Sequence, residues 1–319
     1  MARLIQWWQG IILALALLGL SAFFLPLPFL NEVIIFSVYA MGCNFLIGHV
    51  GYISFGQPAY LAFGAYATAF YLYYFGTNPF VGILVGVLGG LICAIVIGPF
   101  FVRLRSDYFA MVNLALAVIV FFLTQKVLAG ITQGDNGLWF LTNIESNSIL
   151  DLTIPRQFLI FSMLMLFAVL AFYKYLNGTM YGTCCLATKI NEVKLEFLGY
   201  SNFNIRYLAF IIANTTTALA GAMYAVYFGF VSPEMGSPSR AADPVIVTLL
   251  GGVGTLYGPI AGAIAYTGLK DILSTMVGNW ELFVGFLLVF IMLVANKGIW
   301  GTLEPAFEKL LRRQKISRR

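Results

Sequence analysis

The sequence predicts an all-α polytopic membrane protein of about ten transmembrane segments, one of them broken or re-entrant, with both termini cytoplasmic. Three observations carry that expectation. The 319 residues are 61% apolar and only 10% charged, against about 25% charged in an ordinary soluble domain. The apolar residues gather into repeated runs of about 17–25 residues, the length a helix needs to cross the hydrocarbon core of a bilayer. One long polar stretch, Tyr181 to Arg206, interrupts those runs and needs water around it.

The spans run roughly over 9–26, 31–47, 58–75, 80–101, 109–129, 157–175, 205–230, 244–256, 258–275 and 280–297. The first belongs to an apolar run from about Gly10 to Leu30 and reads as an uncleaved span rather than a signal peptide. The second ends where Gly48-His49-Val50-Gly51 interrupts the apolar sequence, and the third starts at Pro58. The fourth carries Gly82, Gly86 and Gly90, a ladder of small residues that lets helix backbones approach closely, inside the chain or at a subunit interface. The fifth follows the basic pair Arg103 and Arg105. The sixth follows the longest outer loop, about Ala129 to Pro155, with Asp135, Glu145 and Asp151. The seventh holds Asn214, Thr215, Thr216 and Thr217 well inside it. The eighth is too short to cross alone and ends in glycines, so it reads as broken or re-entrant. Gly258 and Gly262 give the ninth its own small-residue pair, and the tenth leads into a basic tail. Residues 1–297 thus form one membrane domain, with a cytoplasmic loop over 176–205, and 298–319 form a basic cytoplasmic tail.

Orientation follows from lysine and arginine. With both termini inside, fourteen basic residues fall on the cytoplasmic side, and only Lys126, Arg156, Arg240 and Lys270 fall outside. That is a strong positive-inside bias. It also accounts for the net charge of +5 without nucleic acid as a partner. Cys43 and Cys93 sit in apolar spans, and Cys184 and Cys185 in the polar stretch, so no disulfide framework is implied.

Within the polar stretch, Leu186, Ile190, Val193 and Phe197 recur at helical spacing and fall on one face of a short amphipathic helix, while Lys189, Glu192 and Glu196 fall on another. Four apolar side chains exposed on a cytoplasmic helix call for a soluble partner. Ala187, Asn191 and Gly199 complete this candidate contact element.

The stretch from Gly48 to Pro58 combines glycines, a proline and the chain's single histidine. Irregular backbone at membrane depth is tolerated where it is buried or lines a cavity. Ser54, Gly56 and Gln57 are therefore candidates for a translocation path, the alternative being an ordinary turn at the membrane surface; His49 reads as a structural residue. Leu249-Leu250-Gly251-Gly252-Val253-Gly254 echoes Leu46-Ile47-Gly48-His49-Val50-Gly51, and paired glycine interruptions in transporters point to the path. Gly251, Gly252 and Gly254 join the candidates with Asn214, Thr215 and Thr216, for which helix packing is the alternative use. No Asp, Glu, Lys or Arg lies mid-span, which disfavours an ion-coupled carrier. No metal-ligand cluster, phosphate-binding lysine loop, catalytic triad or paired carboxylate is present, so enzyme chemistry on this chain is not expected.

In this order the motifs resemble those of the permease of a branched-chain amino acid ABC importer, the M-type subunit family, over about Asn44 to Asn296. The resemblance rests on Gly51, Ser54 and Gly56 leading to Gly64-Ala65-Tyr66, on Arg103-Leu104-Arg105-Ser106-Asp107-Tyr108, and on Asn191-Glu192 with Leu198-Gly199. Its most specific part lies between Leu219 and Gly262, with Ala220-Gly221-Ala222, Gly229-Phe230-Val231-Ser232-Pro233 and Leu250-Gly251-Gly252-Val253-Gly254-Thr255. Two departures bear on the substrate: Gln57-Pro58 replaces the family's usual His after Gly56, and the outer glycine motif reads Thr132-Gln133-Gly134-Asp135-Asn136-Gly137. The resemblance implies a permease in the bacterial inner membrane, working with a homologous second permease, two cytoplasmic ATPases and a periplasmic solute-binding protein. ATP and Mg would be bound by the ATPases, with no cofactor on this chain. The element from Ala187 to Leu198 would couple the ATPases to the membrane part. The implied solute is a branched-chain or other neutral amino acid; urea, short amides and organic or aromatic acids are alternatives. A secondary carrier or channel and a scaffolding subunit are the other classes.

Overall fold

The computed structural model describes residues 25–144 and 151–276, with position 19, positions 282–283 and 285–286, and a helical turn at 298–302. The expected first and last spans, 9–26 and 280–297, lie almost wholly outside the described residues, as does most of the tail at 298–319.

Helix α1 spans Leu27–Phe45 and continues as a π turn, Leu46–Val50. Next come α2, Gln57–Phe70, α3, Pro79–Phe101, and α4, Ser106–Phe122, with π turns closing α2 and α4. A short α5, Ala129–Thr132, precedes α6, Pro155–Asn177. Then follow α7, Met180–Ile190, α8, Glu192–Phe197, α9, Asn202–Phe228, α10, Asp243–Gly251, and α11, Gly258–Met276. Five of the six expected spans from 31–47 to 205–230 coincide with helices long and apolar enough to cross a membrane: Leu27–Val50, Pro79–Phe101, Asp107–Val127, Pro155–Asn177 and Asn202–Phe228. Proline stands in the first turn of α1, α2, α3, α6 and α10, where its fixed φ suits the helix and its lost N–H would have had no partner anyway.

Burial ranks these helices. The apolar window of α1 is 100% buried, whereas those of α3 and α4 are 28% buried. Helix α1 is the centre, packed by α9, α11, α6 and α10; α2 and α3 lie against the far side of α9. On α3, Leu84, Leu88, Ile92, Val96 and Phe100 face outward. Such an apolar face suits lipid and would be a liability in water. The inward face of α3 is the glycine ladder: a methyl at Gly82 would meet Leu72, one at Gly86 would meet Thr68 and Ala222, and one at Gly90 would meet Ala218. The ladder packs α3 onto α2 and α9.

The expected eighth span is shorter than the sequence suggested. After β2, Phe230–Val231, which pairs antiparallel with β1, Leu138–Trp139, the chain makes 3-10 turns at Pro233–Gly236 and Pro238–Ala242. The first turn enters the bundle, with Gly236 beside Ala62 of α2 and Val120 of α4. Helix α10 then stops at Gly251, not near 256, because Gly252 and Gly254 take φ of 120° and 78°. Only glycine adopts these conformations without strain. The chain reverses there, and α11 returns beside α10.

Candidate functional site

The polar stretch does not form the single amphipathic helix expected from its periodicity. Asn191 is extended (φ −161°, ψ 99°) and separates α7 from α8. Its side-chain oxygen accepts from the Lys194 N–H at 3.0 Å, the N-cap arrangement for which Asn is a preferred residue, and that local bond wins over helix continuity. The four apolar side chains are nevertheless all outside: Leu186 42%, Val193 60%, Ile190 84% and Phe197 86% exposed, joined by Leu198. Ala187 is half-buried on α7. Gly199 follows α8 at φ 85°, with open space where a Cβ would stand.

Behind this apolar tip the same segment is fastened to the bundle. Lys189 Nζ donates to the Gly48 carbonyl at 2.9 Å. That carbonyl belongs to the π turn closing α1 and is one of the last carbonyls of the helix, which have no intrahelical donor. Gly48 in turn touches Gly254, and Asn44 of α1 clamps the same reversal from both sides: its Nδ2 donates to the Thr255 carbonyl at 2.9 Å and its Oδ1 accepts from the Gly254 N–H at 2.8 Å. The two glycine interruptions that echo one another in sequence therefore meet in space.

A second anchor centres on Glu192. Its carboxylate pairs with Arg206 in the first turns of α9 and accepts from Tyr52 Oη at 3.1 Å. The Arg206 guanidinium also lies 4.9 Å from the centre of the Tyr52 ring. Burial raises the Tyr52 pKa, opposed by the nearby Arg206 charge, so the phenol stays protonated and donates. Asn202 Nδ2 donates to the Glu192 carbonyl and to Glu196 Oε1, both at 2.9 Å. These bonds tie α7 and α8 to the ends of both α1 and α9.

The expected path residues lie within helix contacts in this conformation. Ser54, Gln57 and Asn214 are fully buried. Thr217 donates to Gln57 Oε1, joining α9 to the start of α2. Thr216 shares a 2.9 Å hydrogen bond with Tyr173 of α6. A methyl at Gly56 would meet Asn113 of α4. Gly251 and Gly258 are in backbone contact where the reversal closes, and Gly252 lies against Gly298. Ser54 Oγ, Gln57 Nε2, Thr215 Oγ1 and both polar atoms of Asn214 have no hydrogen-bond partner among the described residues. The structure brings Gln57 and Thr217 together, and Gly48 with Gly254; the apolar tip stands apart from them at the α7–α8 end.

Sequence reading passed over Asn44, Tyr52 and Arg206. Asn44 carried a signal, an amide in an otherwise apolar run four residues before a glycine break. Among the described residues no group of His, Cys, Asp or Glu is arranged to hold a metal ion.

The chain is 24% identical over 302 residues, covering 85% of itself and 69% of the relative, to the high-affinity branched-chain amino acid transport system permease protein LivM of Escherichia coli. It is equally similar to LivM of Salmonella typhimurium. The autoinducer 2 import system permease protein LsrC of Photorhabdus laumondii is 31% identical over 49% of this chain and 47% of its own length. No solved structure matches the chain. The family model described as branched-chain amino acid transport system, permease component, matches residues 25–295, and the chain belongs to that family of ABC transport permeases.

Proposed function

We propose that this chain is the permease subunit of an ABC importer that moves branched-chain or other neutral amino acids across the bacterial inner membrane. The observation that carries the reading is the exposed apolar tip at Ile190, Val193, Phe197 and Leu198, fastened through Lys189 and Glu192 to the ends of α1 and α9. An apolar tip is unfavourable in water and favourable in a groove of a soluble partner. Its rigid seating makes it a lever on the bundle. The partner is a cytoplasmic ATPase, two copies of which drive this chain and a homologous second permease, while a periplasmic protein delivers the solute. Both termini and the 176–205 loop face the cytoplasm, in keeping with the basic-residue bias, and the chain crosses about ten times.

The similarity to LivM supports amino acids as the solute class, and the partial similarity to LsrC keeps a wider solute range as the second reading. The purified complex, reconstituted with its binding protein, should take up radiolabelled leucine with ATP hydrolysis. Leucine, isoleucine and valine should compete far better than arginine or glutamate. Competition by urea or an aromatic acid, with none from these three, would overturn the solute and leave the transporter class intact.

A further inference from the structure

Helix α4 joins the bundle along a single stripe. Phe109, Asn113, Ala117, Val120 and, in the closing π turn, Thr124 are buried at helical spacing, while Met111, Val112, Val118, Ile119 and Phe122 are exposed. The stripe lies against α2 and the two 3-10 turns before α10. Asn113 is its one amide and is fully buried. Gly56, just before α2, sits directly on it: an added Cβ there would lie 2.7 Å from the Asn113 carbonyl oxygen and 2.9 Å from its Oδ1. Asn113 Nδ2 donates to the Phe109 carbonyl at 2.9 Å, so the amide is fixed with Oδ1 turned away from that carbonyl. Oδ1 has no hydrogen-bond partner among the described residues, and neither has Ser54 Oγ, two residues before Gly56. Bare polar atoms thus stand on both sides of the seam between α4 and the start of α2. A buried acceptor without a donor is unfavourable, and an apolar residue at 113 would have avoided it. One turn from Asn113, Phe109 borders a hole with room for about one water molecule, between the ends of α1 and α3 and the first turns of α9. Arg206 lines that hole, and its Nε also lacks a partner among the described residues.

We propose that the solute path opens along this seam and that Asn113 is the residue that meets the solute on the α4 side, its Oδ1 accepting from the ammonium of a zwitterion once α4 draws back from Gly56. The proposal rests on the reading of this chain as a neutral amino acid importer and adds a moving wall and a contact to it. The seam is closed in this conformation, with Gly56 against Asn113 and no space for a solute between them. Opening it calls for a helix that can shift without unpicking the core. Helix α4 is such a helix: its apolar window is 28% buried, against 100% for α1. The side-chain hydrogen bonds of Asn113 and Thr124 go to carbonyls of α4 itself, so they do not hold α4 to α2. A neutral amide also suits a path better than a carboxylate. It accepts from an ammonium, yet leaves no charge desolvated after the solute has moved on. A solute with no N–H or O–H to donate gains nothing from it.

Transport set beside stability tests this, in the complete reconstituted complex supplied with saturating leucine-loaded binding protein. Asn113→Ala removes the bare acceptor together with the bond to Phe109, two opposing effects, so the complex should keep its ATPases and melt within a few degrees of wild type. Leucine uptake should nevertheless fall about tenfold, as for loss of one hydrogen bond to a charged group. Asn113→Cys, in a background lacking Cys43, Cys93, Cys184 and Cys185, gives a second measurement. A small water-soluble thiol reagent should label it, at a rate that changes when ATP is trapped in the closed ATPases. If Asn113→Ala does not assemble, the cysteine carries the test alone. Undiminished uptake in Asn113→Ala overturns the proposal. So does a melting temperature that drops in step with uptake, the mark of a packing residue, or a cysteine protected in every nucleotide state. Leucine uptake by wild type in the face of any of these results would leave the importer reading standing without the seam. A response of Asn113→Cys to ATP, in a complex that moves no neutral amino acid, would keep the seam as a path and overturn the solute class.

Discussion

At the α7–α8 end of the bundle, Glu192 bonds Tyr52 and Arg206, Asn202 bonds Glu192 and Glu196, and Lys189 and Asn44 bond backbone atoms of the two glycine turns. Deeper in, Ser54 Oγ, Gln57 Nε2, Thr215 Oγ1 and both polar atoms of Asn214 find no protein partner among the described residues. The same kinds of side chain are cross-linked between elements in the first region, where only single atoms such as Asn202 Oδ1 and Arg206 Nε lack a partner among the described residues, and are left with fewer bonds in the second. Several charge-assisted and amide bonds that join separate elements hold those elements to one another and transmit a displacement. Stranded groups, each unfavourable by about 1–3 kcal/mol, gain when water or a polar solute reaches them. On the proposed function, the expectation is that the lever end stays rigid through a cycle and the interior opens.

The largest break in this contrast comes from removing the lever's grip. Burying a side chain such as Ile190 against a partner contributes about 1.5–3 kcal/mol. Ile190→Asp, with a charge at an 84% exposed position, should leave the chain folded and abolish co-purification of the ATPase. Wild-type complex yield together with wild-type stimulated ATP hydrolysis would refute the assignment. Gly48→Val attacks the junction instead: an added Cβ would lie 2.5 Å from the Gly254 α-carbon and 2.7 Å from its nitrogen. Overpacking of about 1–3 kcal/mol should cut uptake by roughly ten- to a hundredfold while the ATPase still binds. Smaller still is Lys189→Met, which keeps the side-chain stem and deletes the bond to the Gly48 carbonyl. Because Lys189 is exposed to solvent, only a severalfold fall in uptake is expected, with ATP hydrolysis less tightly stimulated by the loaded binding protein. A ratio of ATP hydrolysed to solute moved that matches wild type would remove Lys189 from the lever.

The stiff region was partly legible in the sequence, because helical spacing and basic-residue bias act locally and leave a trace in the order of residues. Ile190, Val193 and Phe197 could be picked out as an apolar tip, yet the break at Asn191 was not visible: it is decided by one side-chain bond to Lys194 N–H that competes with the helix. Five of the six expected spans from 31–47 to 205–230 were readable to within a few residues for the same local reason. The end of α10 was not, since Gly251 is stopped by two positive-φ glycines whose conformation depends on Gly48 and Asn44, about two hundred residues earlier. Arg240 was legible only as an outer basic residue, and Asp243 was not singled out at all. Nothing in their spacing announces that the loop turns inward and brings them beside Tyr39.

The finest test asks whether the interior opens at all. Ser54 is fully buried with an unpartnered hydroxyl, while Thr216, also buried, is held to Tyr173 at 2.9 Å. Cysteine at either position, in a background lacking Cys43, Cys93, Cys184 and Cys185, replaces an oxygen by a sulfur of similar reach. If stranded polar groups mark the surface that opens, Ser54→Cys should react with a small water-soluble thiol reagent faster than Thr216→Cys. At position 216 the thiol still faces the Tyr173 hydroxyl and must give up a weak bond to it, whereas the thiol at 54 has none, so the difference in rate should be a fewfold. Adding ATP and trapping the closed ATPases should change the Ser54→Cys rate most, because alternating access is a shift between two packings of the same helices. Equal rates at both positions would mean that an unmet hydrogen bond does not mark the moving surface. Complete protection of both in every nucleotide state would assign Ser54 and Thr216 to static packing and shift the path away from α9 and the start of α2.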